Sequence, residues 1–437
     1  MRIPRWFVSL AAAALSAAAL AQAPQLPALD AAQKKQAVAE LATLLKENYV
    51  FPDVAGKAAA FLQKQVAAGA YDQASDPGAF AFALTRDLQA SAKDLHLQVR
   101  VLPPGEPPTR DDTPESLEKL RKQLRRQNFA FEKVEILPGN IGYLDLRMFA
   151  PPSMAGPTAV AAMNFLANCD ALIVDLRKNG GGDPEMIQLL STYLFDKPTH
   201  LNDLTWRQGN RTDQFWTLTY VPGPRLSHVP VYVLTSSETF SGAEEFTNNL
   251  KVLKRATVVG ETTGGGANPG EGFPFKPFFQ CFIPTGRAVN PTTGTNWEGV
   301  GVKPDIEVPA DQALVTARGE ALKALLAKAE DPETKARYAW AMAAVDALRN
   351  PASFTPGQLQ TFAGTYGARK VWVEEGKLVY QRQGRPEVTL LPMTGTTFAA
   401  VDADFVHFTF EPGPDGRAAK IVLTYDDGRR DQSERTE

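Results

Sequence analysis

Between Ile141 and Gly260, short apolar runs alternate with stretches of helical periodicity, and this alternation decides which folds are open to the chain. Ile141–Leu146 reads as a strand, 159–166 as a helix, and 171–176 as a continuous apolar strand broken only by Asp175, of the kind buried on both faces. Helical 185–195, an apolar run ending at Thr235, a helix opening at Ser241 and a strand at Ala256–Gly260 continue the series. Strand and helix in turn require crossover units around a mostly parallel sheet, so the spacing predicts an α/β core over residues 129–310.

The flanks read differently. From Ala28 to about Ala92 apolar residues recur at helical spacing, and an alternating run follows at 97–102, predicting an N-terminal helical domain over 28–104 that ends in a strand. Prolines at 103, 104, 107 and 108 and the charged stretch 114–126 predict a linker and a solvated helix over 105–128. Residues 311–350 are rich in alanine, leucine and charge, a helical segment interrupted near Asp331-Pro332. From 354 to 437 short strands and turns such as Glu374-Glu375-Gly376 predict a small antiparallel β domain.

A chain of 437 residues accommodates about three domains with sizeable cores. Its net charge of -3 leaves no electrostatic footprint for nucleic acid or an acidic membrane surface. Arg2 and Arg5 precede an alanine-rich apolar run over 6–20, small residues follow at 19–23, and Pro24 comes next. That pattern predicts a signal peptide over 1–23, cleaved to leave a periplasmic or secreted protein without a stable membrane anchor. Cys169 and Cys281 are open to two readings, a disulfide or two buried free thiols. Two cysteines, four histidines and no His-Glu-x-x-His pair make up no metal motif, and no cofactor is expected.

Chemistry concentrates where the predicted strands end. Ser241 stands at a strand-to-helix junction, where unpaired helix amides favour developing negative charge. With Glu244 it equally forms a capping box, a purely structural use of the same residues. Asp175-Leu176-Arg177-Lys178-Asn179-Gly180-Gly181-Gly182 follows the buried strand, and its glycines let backbone amides approach a ligand. One of them, assigned to Gly181, and the amide of Gly242 predict an oxyanion hole. A serine hydroxyl needs a base. His96 lies at a helix-to-strand junction, whereas His200 and His228 read as loop residues and His407 belongs to the terminal β domain; Lys276 is the alternative base.

These segments together resemble the C-terminal processing and tricorn-like serine peptidase family, in its branch related to interphotoreceptor retinoid-binding protein. The resemblance runs from Asp94 to Asp305 and is carried by Val174-Asp175-Leu176-Arg177-Lys178-Asn179-Gly180-Gly181-Gly182, Thr239-Phe240-Ser241-Gly242-Ala243-Glu244-Glu245-Phe246, Gly260-Glu261-Thr262-Thr263-Gly264-Gly265-Gly266 and Glu298-Gly299-Val300-Gly301-Val302-Lys303-Pro304-Asp305. It implies a ClpP/crotonase-like core and a serine nucleophile at Ser241. In the processing branch the base is a lysine in the glycine-rich turn, but the matching position here is Gly266. The tricorn-like branch instead implies His96 as base and Glu298 as the carboxylate that orients it. That branch has a serine beside its histidine where this chain has Leu95, and residues 102–139 are too short to hold an inserted PDZ-like domain. The expected activity is cleavage of peptide or protein substrates; the alternative is a retinoid- or fatty-acid-binding or scaffold protein on the same fold.

Overall fold

The computed structural model describes residues 26–74, 76–103, 113–350, 352–400 and 403–437, so the expected 1–23 signal peptide lies outside the described residues. Two compact units emerge, the first from residues up to 135 with 143–168 and 174–310, the second from 136–142, 169–173 and 311–437.

Three helices open the first unit: α1 (Ala31–Asn48), α2 (Pro52–Ala67) and α3 (Pro77–Ala92). Asp30 and Gln33 form a full capping box on α1, and Asp76 caps α3 by accepting from the Ala79 amide. The periodic residues Leu41, Leu45, Leu62, Phe80 and Leu84 are all fully buried in one cluster. Each such side chain contributes about 1.5–3 kcal/mol of transfer free energy. Lys93 ends α3 in the left-handed conformation, and the chain turns through Asp94-Leu95-His96 into β1 (Gln98–Val101).

The core follows: α4 (Pro114–Arg125), β2 (Phe131–Leu137), β3 (Ile141–Leu146), α5 (Pro152–Phe165), β4 (Ala171–Asp175), α6 (Pro184–Thr192), β5 (His200–Trp206), β6 (Thr212–Trp216), β7 (Val231–Thr235), α7 (Gly242–Val252), β8 (Ala256–Gly260), β9 (Gly270–Phe275), β10 (Phe279–Pro284), β11 (Gly286–Val289) and β12 (Ile306–Glu307). A six-stranded mixed sheet has the order β12-β8-β7-β4-β3-β2, with β8 parallel to both neighbours. β3, β4 and β7 are buried at every position, Asp145 and Asp175 included. Two smaller sheets, β1-β10-β9 and β11-β5-β6, are antiparallel.

Several segments differ from the sequence expectation. Residues 202–224 and 267–279, where the sequence pattern marks no strand, contribute most of β5, all of β6 and β9, and the β9–β10 turn. His200 accordingly lies on a strand rather than in a loop. β6 alternates exposed and half-buried positions, so it lacks an apolar signature, and Pro274 and Pro277 mask the β9–β10 hairpin. α5 begins at Pro152, upstream of its apolar stretch.

In the second unit α8 (Ala313–Lys328) and α9 (Pro332–Arg349) are separated at the Asp331 cap, and α10 (Pro356–Phe362) leads into β13 (Gly364–Tyr366). β14 (Arg369–Glu374), β15 (Lys377–Arg382), β16 (Glu387–Thr394), β17 (Thr397–Ala400), β18 (Ala403–Pro412), β19 (Ala418–Tyr425) and β20 (Arg430–Glu434) complete an eight-stranded antiparallel meander. Its ends meet, because the Thr436 amide donates to the Thr365 carbonyl at 2.8 Å. Phe362, Phe398, Phe408 and Phe410 fill the interior. Closing the sheet this way leaves little strand edge unpaired.

Candidate active site

Buried β7 delivers the chain into a turn that is fastened to its neighbours before α7 begins. The Thr239 hydroxyl donates to the Leu176 carbonyl at 2.8 Å, the Phe240 amide to the Asn179 carbonyl at 3.0 Å, and the Gly264 amide to the Thr239 carbonyl at 3.0 Å. Ser241, at the N-cap of α7, is held at φ 52° and ψ -121°. Only glycine visits this region freely, so the surrounding bonds impose a conformation that serine alone disfavours. The Ser241 amide donates to Glu244 Oε2 at 2.9 Å, so the capping function and the strained turn coexist.

The two glycine loops press against this turn. A Cβ on Gly181, whose φ is 108°, would lie 2.8 Å from the Ser241 Cβ and 2.7 Å from the Gly242 nitrogen. One on Gly242 would lie 2.9 Å from the Gly182 nitrogen. Side chains are thus excluded from the space between the Gly181-Gly182 backbone and the start of α7. Within it, the Gly181 amide already donates to Asn179 Oδ1 at 2.8 Å. Among the described residues neither the Gly182 nor the Gly242 amide has a partner. The expected oxyanion donor at Gly181 is therefore committed elsewhere, and its neighbour Gly182 is the open amide beside Gly242.

His96 is 6% exposed and packs its ring on Phe240, the residue before Ser241, with centroids 4.6 Å apart. Phe282 flanks it at 5.8 Å. The Asp94 carboxylate fixes the turn beneath it, with Oδ1 accepting from the His96 amide at 2.9 Å and lying 3.7 Å from Nδ1. Neither ring nitrogen has a hydrogen-bond partner, an unusual state for a buried imidazole.

Glu298 reaches the same place from the turn after β11. Trp297 Nε1 donates to the Gly266 carbonyl at 2.8 Å, and Glu298 Oε2 accepts from the Ala267 amide at 2.6 Å. Its Oε1 is buried without a partner. Burial, and then the charge of Asp94, push the Glu298 carboxyl up to about 7. Burial also acts to raise Asp94, but His96 and Asn268 outweigh it and hold that carboxyl below its usual range. The structure brings His96 and Glu298 together and adds Asp94, whose motif was legible but whose role was not.

Asp94, His96 and Glu298 each offer one ligand atom within 4.8 Å of the others, the one such grouping among the described residues. Tetrahedral zinc with bonds of about 2.0–2.2 Å draws its ligands closer together than that upper spacing. Gly266 leaves the room that the Phe240 and His96 rings occupy. A Cβ on Gly266 would fall 2.2 Å from Phe240 Cζ and 2.6 Å from His96 Cε1. Any side chain at 266 would require the Phe240 and His96 rings to shift.

Glu244 binds the parts together. It accepts from the Ser241 amide, from the Thr263 hydroxyl, and from the Gly265 and Gly266 amides at 2.7 and 2.8 Å. Burial still raises its carboxyl above the usual range despite these four donors. The remaining candidate bases are elsewhere. His200 Nε2 lies 2.6 Å from Asp203 Oδ1 and its ring stacks on Trp216; His228 and Lys276 are exposed; His407 stacks on Trp340 in the second unit. Both cysteines are free and buried.

The profile of peptidase family S41 matches residues 140–308, and that of the N-terminal domain of peptidase S41 in eukaryotic IRBP matches residues 16–138. Among solved structures, the chain is similar to a putative S41 protease from Bacteroides fragilis NCTC 9343, at 25% identity over 43% of this chain and 52% of that one, with a TM-score of 0.38. The chain thus spans about half the length of that relative. It is also similar to a photosystem II D1 C-terminal processing protease, at 17% identity over 64% and 94% with a TM-score of 0.39. A tricorn protease matches at 14% identity over 65% and 35%, with a TM-score of 0.42. Two adjoining S41 profiles thus match the chain, the peptidase profile across the α/β core and the N-terminal profile across the region before it.

Proposed function

We propose that the protein is an exported serine peptidase that cleaves peptide bonds through an acyl-enzyme on Ser241. His96 takes the Ser241 proton as the hydroxyl oxygen bonds to the scissile carbonyl carbon, and returns it to the amine as the C–N bond breaks. Water then enters, gives its proton to His96 and attacks the ester; the proton passes back to Ser241 as the acid leaves. Glu298 supplies a carboxyl beside the imidazole, and the Gly182 and Gly242 amides receive the oxyanion.

The observation that carries this reading is the buried imidazole with two unpartnered nitrogens packed against the residue preceding a strained N-cap serine. Buried polar groups are as a rule hydrogen-bonded, whereas a base keeps a nitrogen for its substrate. The same unpartnered groups weigh against an apolar ligand-binding role, which has no use for them. Export, to the periplasm or outside the cell, rests on the basic and apolar leader. No helix among the described residues is long and apolar enough to cross a membrane.

A fluorophosphonate probe followed by peptide mapping tests the assignment. Phosphonylation of Ser241 in the wild type, and none in Ser241→Ala, is the expected result; equal labelling of both proteins would refute it.

A further inference from the structure

We infer that Asp94, rather than Glu298, is the carboxylate that positions His96 and balances its charge when it accepts the Ser241 proton. The inference rests on the serine peptidase reading and divides the labour between its two carboxyl groups.

Asp94 is the better anchored of the two. It is 1% exposed, and its Oδ2 accepts from the Tyr49 hydroxyl at 2.9 Å and from Asn268 Nδ2 at 3.0 Å. Tyr49 is itself fixed, because its carbonyl accepts from Arg207 Nη1 at 2.7 Å and its amide donates to the Leu45 carbonyl. With Oδ2 occupied, Oδ1 is left for the His96 amide at 2.9 Å and faces Nδ1 at 3.7 Å. That gap is long for a hydrogen bond, as such contacts often are before substrate binds. Placing Asp94 on Nδ1 reserves Nε2 for the serine.

Glu298 is held by one amide and has a free Oε1. The titratable groups facing the ring are Asp94 on its own turn and Glu298 on the turn after β11, with Tyr49 behind the first and Glu244 behind the second. Two carboxylates this close repel, so one proton is retained. The directions agree with the geometry: Asp94 is held down in the ionised range, while Glu298 rises to about 7.

The bland role for Asp94 is to make the turn that carries His96. Asp94→Asn keeps an oxygen for the His96 amide but removes the charge together with the acceptor for Tyr49 and Asn268, so Tyr49→Phe, which loses the Tyr49 bond alone, is measured beside it to separate charge from anchoring. The experiment measures fluorophosphonate labelling rates of Ser241 between pH 5 and 9 in the full chain, for the wild type, Asp94→Asn, Tyr49→Phe, Glu298→Gln and His96→Ala. Asp94→Asn is expected to label about 10²–10⁴-fold more slowly, with the acid limb of its profile moved about one pH unit lower. Glu298→Gln is expected to lose less and to move the limb less. Tyr49→Phe, which leaves every charge in place, is expected to slow labelling about tenfold by loosening Asp94.

Labelling of folded Asp94→Asn at nearly the wild-type rate with an unmoved acid limb would overturn the inference. If Asp94→Asn does not fold by circular dichroism, the Tyr49→Phe rate decides instead, and a wild-type value there overturns it. Failure of the parent reading is distinguishable: it appears as wild-type protein unlabelled at Ser241, or as His96→Ala labelling normally.

Discussion

At Ser241 a backbone held at φ 52° stores strain of about 1–3 kcal/mol at a position where a helix cap needs none. Replacement by glycine relaxes that strain, whereas alanine retains it. Both variants are expected to lose phosphonylation, and thermal melts should find Ser241→Gly about 1 kcal/mol more stable than Ser241→Ala. His96→Ala is expected to fold and to label at least about 10³-fold more slowly at neutral pH. Gly266 makes a complementary prediction, since even a methyl group there meets Phe240 and His96. Gly266→Ala should cut the labelling rate about a hundredfold by displacing the ring, and a rate near wild type would show that the ring has room to move. Ser241 and His96 could be proposed from their local context and Glu298 through the resemblance, because each lies in a short contiguous segment. Asp94 entered the sequence reading only as the start of the resemblance, because its partners Tyr49 and Asn268 lie 45 and 174 positions away and one sequence does not reveal such pairings. Gly181 and Gly182 could not be told apart until the Asn179 side chain was seen to occupy the first amide.

Helix α7 presents two adjacent acids in unlike settings. Glu244 faces the glycine turn and accepts four hydrogen bonds; Glu245 is buried with its carboxyl raised to about 7, first by burial and then by Asp183, with Asn202 and Asn249 offsetting this only in part. Between about pH 4.5 and 7 the folded chain keeps a proton on Glu245 that the unfolded chain has released. Stability from this group is therefore complete below that window and declines as pH rises through it. Glu245→Gln removes the decline. Chemical denaturation should find it more stable than wild type at pH 8, by up to about 3 kcal/mol, with the difference shrinking toward pH 5. A difference independent of pH would mean the carboxyl ionises normally. Elements with uniform burial, such as β4 and β7, were readable from apolar runs. Those with mixed exposure or internal proline, β6 and the β9–β10 hairpin, were not, because their strand character comes from pairing rather than composition.

Across the whole molecule, Tyr49, Asp94, His96, Gly182, Ser241, Gly266 and Glu298 all belong to the first of the two compact units. The α/β class and the helical and β-rich flanks followed from periodicity, because hydrophobic pattern reports on local burial. Closure of the meander did not, since it depends on Thr365 meeting Thr436. The meander carries none of the proposed catalytic groups. Removing 354–437 should accordingly leave Ser241 reactive toward a small fluorophosphonate, whether or not protein substrates are still cleaved; loss of labelling in a folded truncated chain would tie the meander to the chemistry.

Catalysis by this route requires one hydroxyl to meet one imidazole and two open amides. A crystal structure of the phosphonylated protein measures this directly. It should place phosphorus on Ser241 Oγ, His96 Nε2 within about 3.2 Å of that oxygen, and the phosphonyl oxygen about 2.7–3.1 Å from the Gly182 and Gly242 nitrogens. Phosphorus on another residue, or a His96 ring turned away while a different group contacts Oγ, would contradict it.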